Sequence, residues 1–329
     1  MKNPKISVII AMQKMSAYGE ECVQHLLRQD YSNFEIILLP DFAFSSHKFG
    51  KHVRVVPTGP IQPAEKRNKG AREARGEILA FIDDDAYPLD RKWLSRSAEY
   101  LIRQDVGAVG GPNFTPPQDG TFQVVCGEVL ASSLFSGPAS KRYKKAQKGE
   151  YNDLPSCNLL VKKKAFSAVG GFYPHFWPGE DTKLCADIAR QGKKVLYDPD
   201  IAVYHHRRRG LENYLRQTFR FGLHRGYFMW KFPYTSLRPL YFMPLLFVVG
   251  LFLGPWLGLI NPFFLYAYIA AVSLYFLLIL IESRKSKRIA TIPIFIFLGI
   301  ATHIAYGIGV LVGLVRPRLH SRLKPKTER

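Results

Sequence analysis

The chain has 329 residues, 47% of them hydrophobic, and a formal net charge of +20. That length allows one sizeable domain plus a further element, and the excess of Lys and Arg calls for an anionic partner. Nucleic acid is set aside as that partner, because residues 237–315 are mostly apolar, broken by one charged island, "ESRKSKR" at 282–288.

From the N-terminus, "ISVIIAM" (6–12) reads as a fully buried strand. No signal-peptide pattern precedes it, so the soluble part is expected in the cytoplasm. A helix follows in "YGEECVQHLLRQ" (18–29), then strands in "FEIILLP" (34–40) and "VRVVP" (53–57). The helix "PAEKRNKGAREAR" (63–75) leads into the strand "GEILAFID" (76–83). Strands and helices alternating at this spacing predict an α/β fold, a mostly parallel sheet with helices on both faces. In such sheets ligands bind at the carboxyl ends of the strands. Cys22, Cys126, Cys157 and Cys185 have no metal or redox spacing, which fits small buried residues in a reducing compartment.

The fourth strand runs into "FIDDDAYP" (81–88), three adjacent carboxylates at a strand end. Asp83, Asp84 and Asp85 read either as a solvated turn or helix cap before "LDRKWLSRSAEYLIRQ" (89–104), or as a cation site. Carboxylates on alternate residues suit Mg²⁺ or Mn²⁺, and a cation neutralises their mutual repulsion.

Further on, "SGPASKRYKKAQKGEY" (136–151) reads as a mobile basic loop that attracts a phosphate, or as an exposed insertion without a role. "WPGED" (177–181) precedes an amphipathic helix, "TKLCADIARQG", and acids at a helix start are often only dipole partners worth about 0.3 to 1 kcal/mol. "IAVYHH" ends in His205 and His206. "NYLRQTFRFGLHRGYFMWKF" (213–232) interleaves basic and aromatic residues as an interfacial helix does.

Three apolar stretches close the chain, at 237–260, 262–281 and 289–315. Each is long enough to cross roughly 30 Å of hydrocarbon as a helix, and none keeps the polar face of a soluble helix. The basic groups near them favour an anionic cytoplasmic leaflet by about 1 kcal/mol per residue. Three crossings from a cytoplasmic domain would put the basic tail outside, against the positive-inside tendency. The third stretch holds Gly299, Gly307, Gly309, Gly313 and His303, so a broken or re-entrant segment is one resolution.

Taken together, these motifs resemble the family 2 glycosyltransferases, which have the nucleotide-sugar-binding GT-A fold. The resemblance covers roughly residues 5–225 and rests on "ISVII", "KRNKGAREARGEILAFIDDD", "GFYPHFWPGED", "IAVYHH" and "RQTFRFG", in that order. It implies that the acidic strand end is the DxD motif. Asp83 would then meet the ribose or the metal, Asp84 would lie on the donor side, and Asp85 would ligate Mn²⁺ or Mg²⁺. A histidine completing that site would be His205 ahead of His206. The resemblance further makes Asp181 the general base for the acceptor hydroxyl, with Glu180 orienting the acceptor or the base, and implies inversion at the anomeric carbon. Lys66 or Arg67 would reach the nucleotide or else form a solvated basic face, and Asn68 resembles the family's asparagine in that stretch. Asp41 would meet the nucleobase, although Pro40 and Phe42 depart from the family pattern there. Gln217, Arg220 and Phe221 resemble a QxxRW motif with Phe221 for tryptophan, which contacts the diphosphate and the acceptor sugar. Trp177 would stand on the acceptor side.

The expected organisation is a GT-A catalytic domain at 1–210, an interfacial helix at 211–235, membrane helices at 236–316 and a basic tail at 317–329. The expected protein is a multi-pass inner- or plasma-membrane enzyme with its catalytic domain in the cytoplasm. It would move a sugar from a nucleotide-sugar donor to a lipid-linked acceptor in cell-surface glycan assembly. A polyprenyl-phosphate sugar synthase, or a non-catalytic nucleotide-sugar-binding subunit, are the alternatives. So few apolar segments favour single-sugar addition over secretion of a polymer.

Overall fold

The computed structural model describes residues 3–175, 178–286 and 288–315. It divides into two compact units: residues up to Pro116 with Lys144–His206, and Pro117–Tyr143 with the described residues 207–315.

The first unit is built on strands β1 (Ile6–Ala11), β2 (Phe34–Leu39), β3 (Val53–Val55), β4 (Ile78–Asp83), β5 (Ala86–Pro88) and β6 (Val106–Gly110). They are followed by β7 (Asn113–Phe114), β8 (Gly149–Glu150), β9 (Leu159–Lys162), β10 (Lys194–Tyr197) and β11 (Val203–His205). Eight strands form one sheet in the order β3-β2-β1-β4-β9-β6-β10-β8. The β3-β2-β1-β4 half is parallel, but β9 runs antiparallel between β4 and β6. The sheet is therefore mixed. Its two faces carry separate apolar cores, one around Val8, Ile10, Ile82 and Trp93, the other around Ile9, Leu79, Phe81 and Phe172. Side chains of successive strand residues point to opposite faces, and these runs are apolar on both.

A second sheet decides where the site lies. It has the order β5-β11-β7, with Ala86 opposite His205 and Tyr87 opposite Tyr204. The chain leaves β4 at Asp83, turns through Asp84 and Asp85, and enters β5. Pairing with β5 therefore brings the end of β11 back to the acidic turn. Asn158 ties the two sheets together: its side-chain amide donates to Ile201 and Pro112 carbonyls, and its oxygen accepts from the Trp93 indole.

The basic loop is not loose in its second half. β8 pairs with β10, the Tyr197 hydroxyl donates to the Lys144 carbonyl at 2.9 Å, and Lys148 lies 3.2 Å from Asp198. The acids that follow β10 hold it there.

The second unit is helical. Leu211–Lys231 runs in the same direction as Ile292–Val315, and glycines let the two backbones approach closely. A Cβ on Gly222 would meet the Tyr306 carbonyl oxygen at 2.1 Å, and one on Gly313 the Leu223 oxygen at 2.2 Å. Small residues at the crossing are what so close a helix packing requires. Thr121–Ala131 belongs to this unit, packing Val125, Cys126 and Val129 with Tyr214, Ile279, Phe295 and Leu298.

The first expected span, 237–260, is not a single long helix. Met243–Leu253 gives way to a tighter 3-10 turn at Gly254–Leu259, because Pro255 lacks an amide hydrogen and its ring clashes with the preceding turn. Two described helices are long and apolar enough to cross a bilayer, Pro262–Ser283 and Ile289–Val315 with its opening 3-10 turn. The third stretch, read above as broken or re-entrant, is a continuous helix from Ile292 to Val315, its glycines serving as contacts. Met243–Leu259 and Pro262–Ser283 form an antiparallel hairpin, with Gly254 against Tyr268 and Gly258 against Leu265. Its tip exposes Phe252, Trp256, Leu259, Ile260 and Phe263. The expected tail at 317–329 lies outside the described residues.

Candidate active site

Helix Pro63–Glu73 lies close on the sheet because Gly70 leaves no room for a Cβ, which would meet Ile9 and Leu39 side chains at 2.6 and 2.7 Å. Residues three and four positions apart share a helix face, so Lys66 and Arg67 lie on the face that Gly70 and Ala71 press down. They are buried, not solvated. Lys66 donates to the Met12 carbonyl at 2.5 Å and pairs with the Asp41 carboxylate. These partners follow the carboxyl ends of β1 and β2. Phe42, which departs from the expected pattern, points outward and is 76% exposed.

Arg67 is the hub. Its Nη2 donates to Asp83 Oδ1 and its Nη1 to Glu180 Oε1, each at 2.7 Å. Burial disfavours its charge, but the Asp83 and Glu180 carboxylates more than offset this and raise the guanidinium pKa further. Burial likewise raises the Glu180 carboxyl above its ordinary range, with Arg67 opposing and Asp181 reinforcing the shift. Such a cluster is held only while every member is paired.

Asp83, Asp85 and His205 each offer one ligand atom, all within 4.8 Å of one another. His205 Nε2 lies 3.0 Å from Asp85 Oδ1. Burial favours the neutral imidazole, yet Asp85 and the Cys157 thiol raise its pKa to about 10. The cluster thus favours positive charge between carboxylate and imidazole. Two carboxylate oxygens and one imidazole nitrogen form a donor set that suits Mn²⁺ and is serviceable for Mg²⁺, so the residues present fit a divalent cation. His206 goes elsewhere: its Nε2 lies 3.0 Å from Glu21, its ring stacks on Tyr18, and its amide donates to the Asp85 carbonyl.

Glu180 and Asp181 open helix Glu180–Arg190, whose cap is Gly179 at φ 120°. Only glycine adopts that conformation without strain, so the Gly in "GED" sets the direction of both acids. Asp181 Oδ2 accepts from the Ser156 amide at 3.2 Å and Oδ1 from the Thr182 amide at 2.7 Å. Asn68 is committed to structure: its amide donates to the Phe172 carbonyl and its oxygen accepts from the Phe172 amide, pinning the turn after Gly171. Asp84 is half-buried within the acidic turn. Gln217, Arg220 and Phe221 lie on Leu211–Lys231 of the second unit, all half-buried. Trp177 lies outside the described residues.

Sequence reasoning left Arg67 with two readings and did not foresee that it joins Asp83 to Glu180, 113 positions away. The available signal was Gly70 and Ala71 one turn later.

Comparison with known proteins adds the following. Residues 7–170 match the family model described as glycosyl transferase family 2. The chain is 25% identical over 223 residues to the O-antigen biosynthesis protein RfbC of Myxococcus xanthus, covering 62% of this chain and 17% of that one. It is 23% identical over 337 residues to a dolichyl N-acetyl-alpha-D-glucosaminyl phosphate 3-beta-D-2,3-diacetamido-2,3-dideoxy-beta-D-glucuronosyltransferase of Methanococcus voltae, covering 94% of this chain and 97% of that one. The chain therefore spans a small part of the first relative and nearly all of the second. Its fold is similar to that of the mannosyltransferase PcManGT from Pyrobaculum calidifontis, solved in complex with GDP-Man and Mn²⁺. There the TM-score is 0.59 at 19% identity, over 96% of this chain and 88% of that one.

Proposed function

The chain belongs to glycosyl transferase family 2 through residues 7–170, and on that premise we propose that it transfers a sugar from a nucleotide-sugar donor to a lipid-linked acceptor at a membrane, with inversion. The observation that carries the reading is the convergence of Asp83, Asp85 and His205 at the carboxyl ends of the strands, joined through Arg67 to the acids of "GED".

In this reading Asp83, Asp85 and His205 hold Mn²⁺ or Mg²⁺, which when bound supplies Lewis-acid stabilisation of the departing diphosphate. Asp41, oriented by Lys66, faces the nucleobase, with Asp83 and Asp84 toward the ribose and Asn68 shaping the donor side through the turn it pins. Arg67 holds Asp83 against the donor. The acceptor oxygen attacks the anomeric carbon as the bond to the diphosphate breaks, and its proton passes to Asp181. The Ser156 and Thr182 amides hold that carboxylate in one orientation. Glu180, fixed by Arg67, sets the start of the helix on which Asp181 stands. Gln217, Arg220 and Phe221 are assigned to the diphosphate and the acceptor sugar, and Trp177 to the acceptor side.

A lipid-linked acceptor accounts for the apolar part of the chain. Only 6% of the most apolar window of Pro262–Ser283 is buried against protein, which supports lipid as the surrounding of that helix. A relative of nearly equal length is named for an acceptor that is a dolichyl-phosphate sugar, which supports a hydroxyl of a lipid-linked sugar over a bare lipid phosphate. The catalytic unit would face the cytoplasm, where the basic groups near the apolar helices favour an anionic leaflet.

The test is nucleoside diphosphate release by the detergent-purified protein across a panel of nucleotide sugars, with Mn²⁺, Mg²⁺ or EDTA. Metal-dependent release with one donor, lost in Asp85→Ala, supports the reading. Donor binding without release or transfer, with membrane lipid extract present, would overturn it in favour of a binding subunit.

A further inference from the structure

At the other end of the sheet from the acidic turn, a cleft of about 330 Å³ opens among the starts of β1, β2 and β3. The register fixes its separation from the active site. Ile6 pairs with Phe34 and Ile78 at this end, while Ala11 pairs with Asp83 at the other, a span of about 17 Å along the strands. The cleft is lined by Lys5, Lys51, His52, Arg54, Arg75 and Glu35, with Ser32 and Asn33 beside them.

We propose that this cleft binds a small anion bearing phosphate groups, at a site separate from the donor site. Four cationic side chains face one carboxylate. Some cations of this unit have acidic partners, Lys48 with Glu20, Arg96 with Asp90 and Arg103 with Asp105. Among the described residues the side chains of Lys5, Lys51 and Arg75 have no such partner. Glu35 offsets only one of the four charges, and its Oε1 accepts from the Ser7 hydroxyl and the Arg75 amide, both at 2.7 Å. Its Oε2 is 3.7 Å from Arg54. Arg54 is held in place by Glu73, at 2.6 Å to the carbonyl and 3.3 Å to the carboxylate. Its buried Nε has no hydrogen-bond partner. The wall is also rigid, since the His52 ring stacks on Phe34 and Gly76 donates to the Ser7 hydroxyl at 2.8 Å. Uncompensated positive charge beside such a wall is what attracts a phosphate.

The test is equilibrium dialysis of radiolabelled inorganic pyrophosphate against the full detergent-purified chain in EDTA. Wild type, Asp85→Ala and the double variant Lys51→Ala/Arg75→Ala are compared, with a circular-dichroism melt as fold control. Lys51 and Arg75 are exposed, so the double variant is expected to melt as wild type does. The expected result is saturable binding that Asp85→Ala retains and the double variant weakens by about tenfold or more. Competition with glycerophosphoglycerol, the soluble headgroup of an anionic lipid, separates the sources. Displacement by it assigns the cleft to a bilayer headgroup, and displacement by unlabelled pyrophosphate alone assigns a soluble diphosphate. No saturable binding, binding that the double variant leaves intact, or binding that Asp85→Ala abolishes would each overturn the site.

Discussion

Arg67 stands between Asp83 and Glu180, 2.7 Å from a carboxylate oxygen of each. One guanidinium thus connects the end of β4 with the start of helix Glu180–Arg190. Removing it would leave the buried Glu180 carboxylate uncompensated, and breaking a buried pair by deleting one partner costs about 3 to 5 kcal/mol. Arg67→Met is therefore expected to destabilise the first unit by about 3 kcal/mol and to abolish transfer. Arg67→Met/Glu180→Gln, which removes the orphaned charge as well, should recover much of the melting temperature but not the activity. Equal melting of the single and double variants would show that Glu180 does not depend on Arg67.

Asp181 and Asp85 should separate by what they leave intact. In Asp181→Asn the amide keeps the shape and cannot take a proton, so transfer to a hydroxyl should fall by about 10² to 10⁴ while the donor still binds. In Asp85→Ala donor affinity itself should fall, and the response to added Mn²⁺ with it. Titrating labelled donor against each variant, beside a transfer assay, distinguishes the two. Sugar transfer to a bare polyprenyl phosphate that survives Asp181→Asn would show that the acceptor is already ionised and needs no base.

The acidic strand end was legible in the sequence, and what the fold brings to it only in part, for a physical reason. An apolar run ending in three acids marks a strand leaving a sheet, and Asp83 and Asp85 lie there. β11 was legible as a strand, but the antiparallel pairing of His205 with Ala86 is a tertiary fact. Lys66 and Arg67 sit in a helix whose composition reads as exposed, and only the approach permitted by Gly70 buries them. The apolar stretches show the same limit. Glycines at 299, 307, 309 and 313 read as breaks, since glycine weakens an isolated helix. In the fold Gly299 makes room for Phe135, Gly307 for the Pro244 carbonyl, and Gly309 and Gly313 for Leu211–Lys231.

That packing makes a prediction of its own. With the Tyr306 carbonyl 2.1 Å from where a Gly222 Cβ would stand, Gly222→Leu must push the two helices apart. Overpacking of this kind costs about 1 to 3 kcal/mol, occasionally more. The variant should lose thermal stability and become sensitive to protease within 211–231. Gly250→Leu, at a glycine with nothing within 4 Å of its Cβ position, should do neither.

Asp198 supplies a prediction in pH. Burial works against its ionisation, but the Tyr100 hydroxyl at 2.5 Å, the Asp200 amide and Lys148 at 3.2 Å hold its pKa below the ordinary value of 3.8. Its folded pKa is thus lower than its unfolded one, so the unfolded state binds more protons as pH falls through that interval. The stabilisation is complete above the unfolded value and is lost as pH falls through the folded one. Wild type should therefore melt above Asp198→Asn at pH 7, and the gap should close below about pH 4. The same anchor holds the 144–150 segment to β10, so proteolysis there should rise in Asp198→Asn at neutral pH. A melting gap that persisted unchanged to pH 2 would mean that packing of the side chain, and not its charge, carries the contribution.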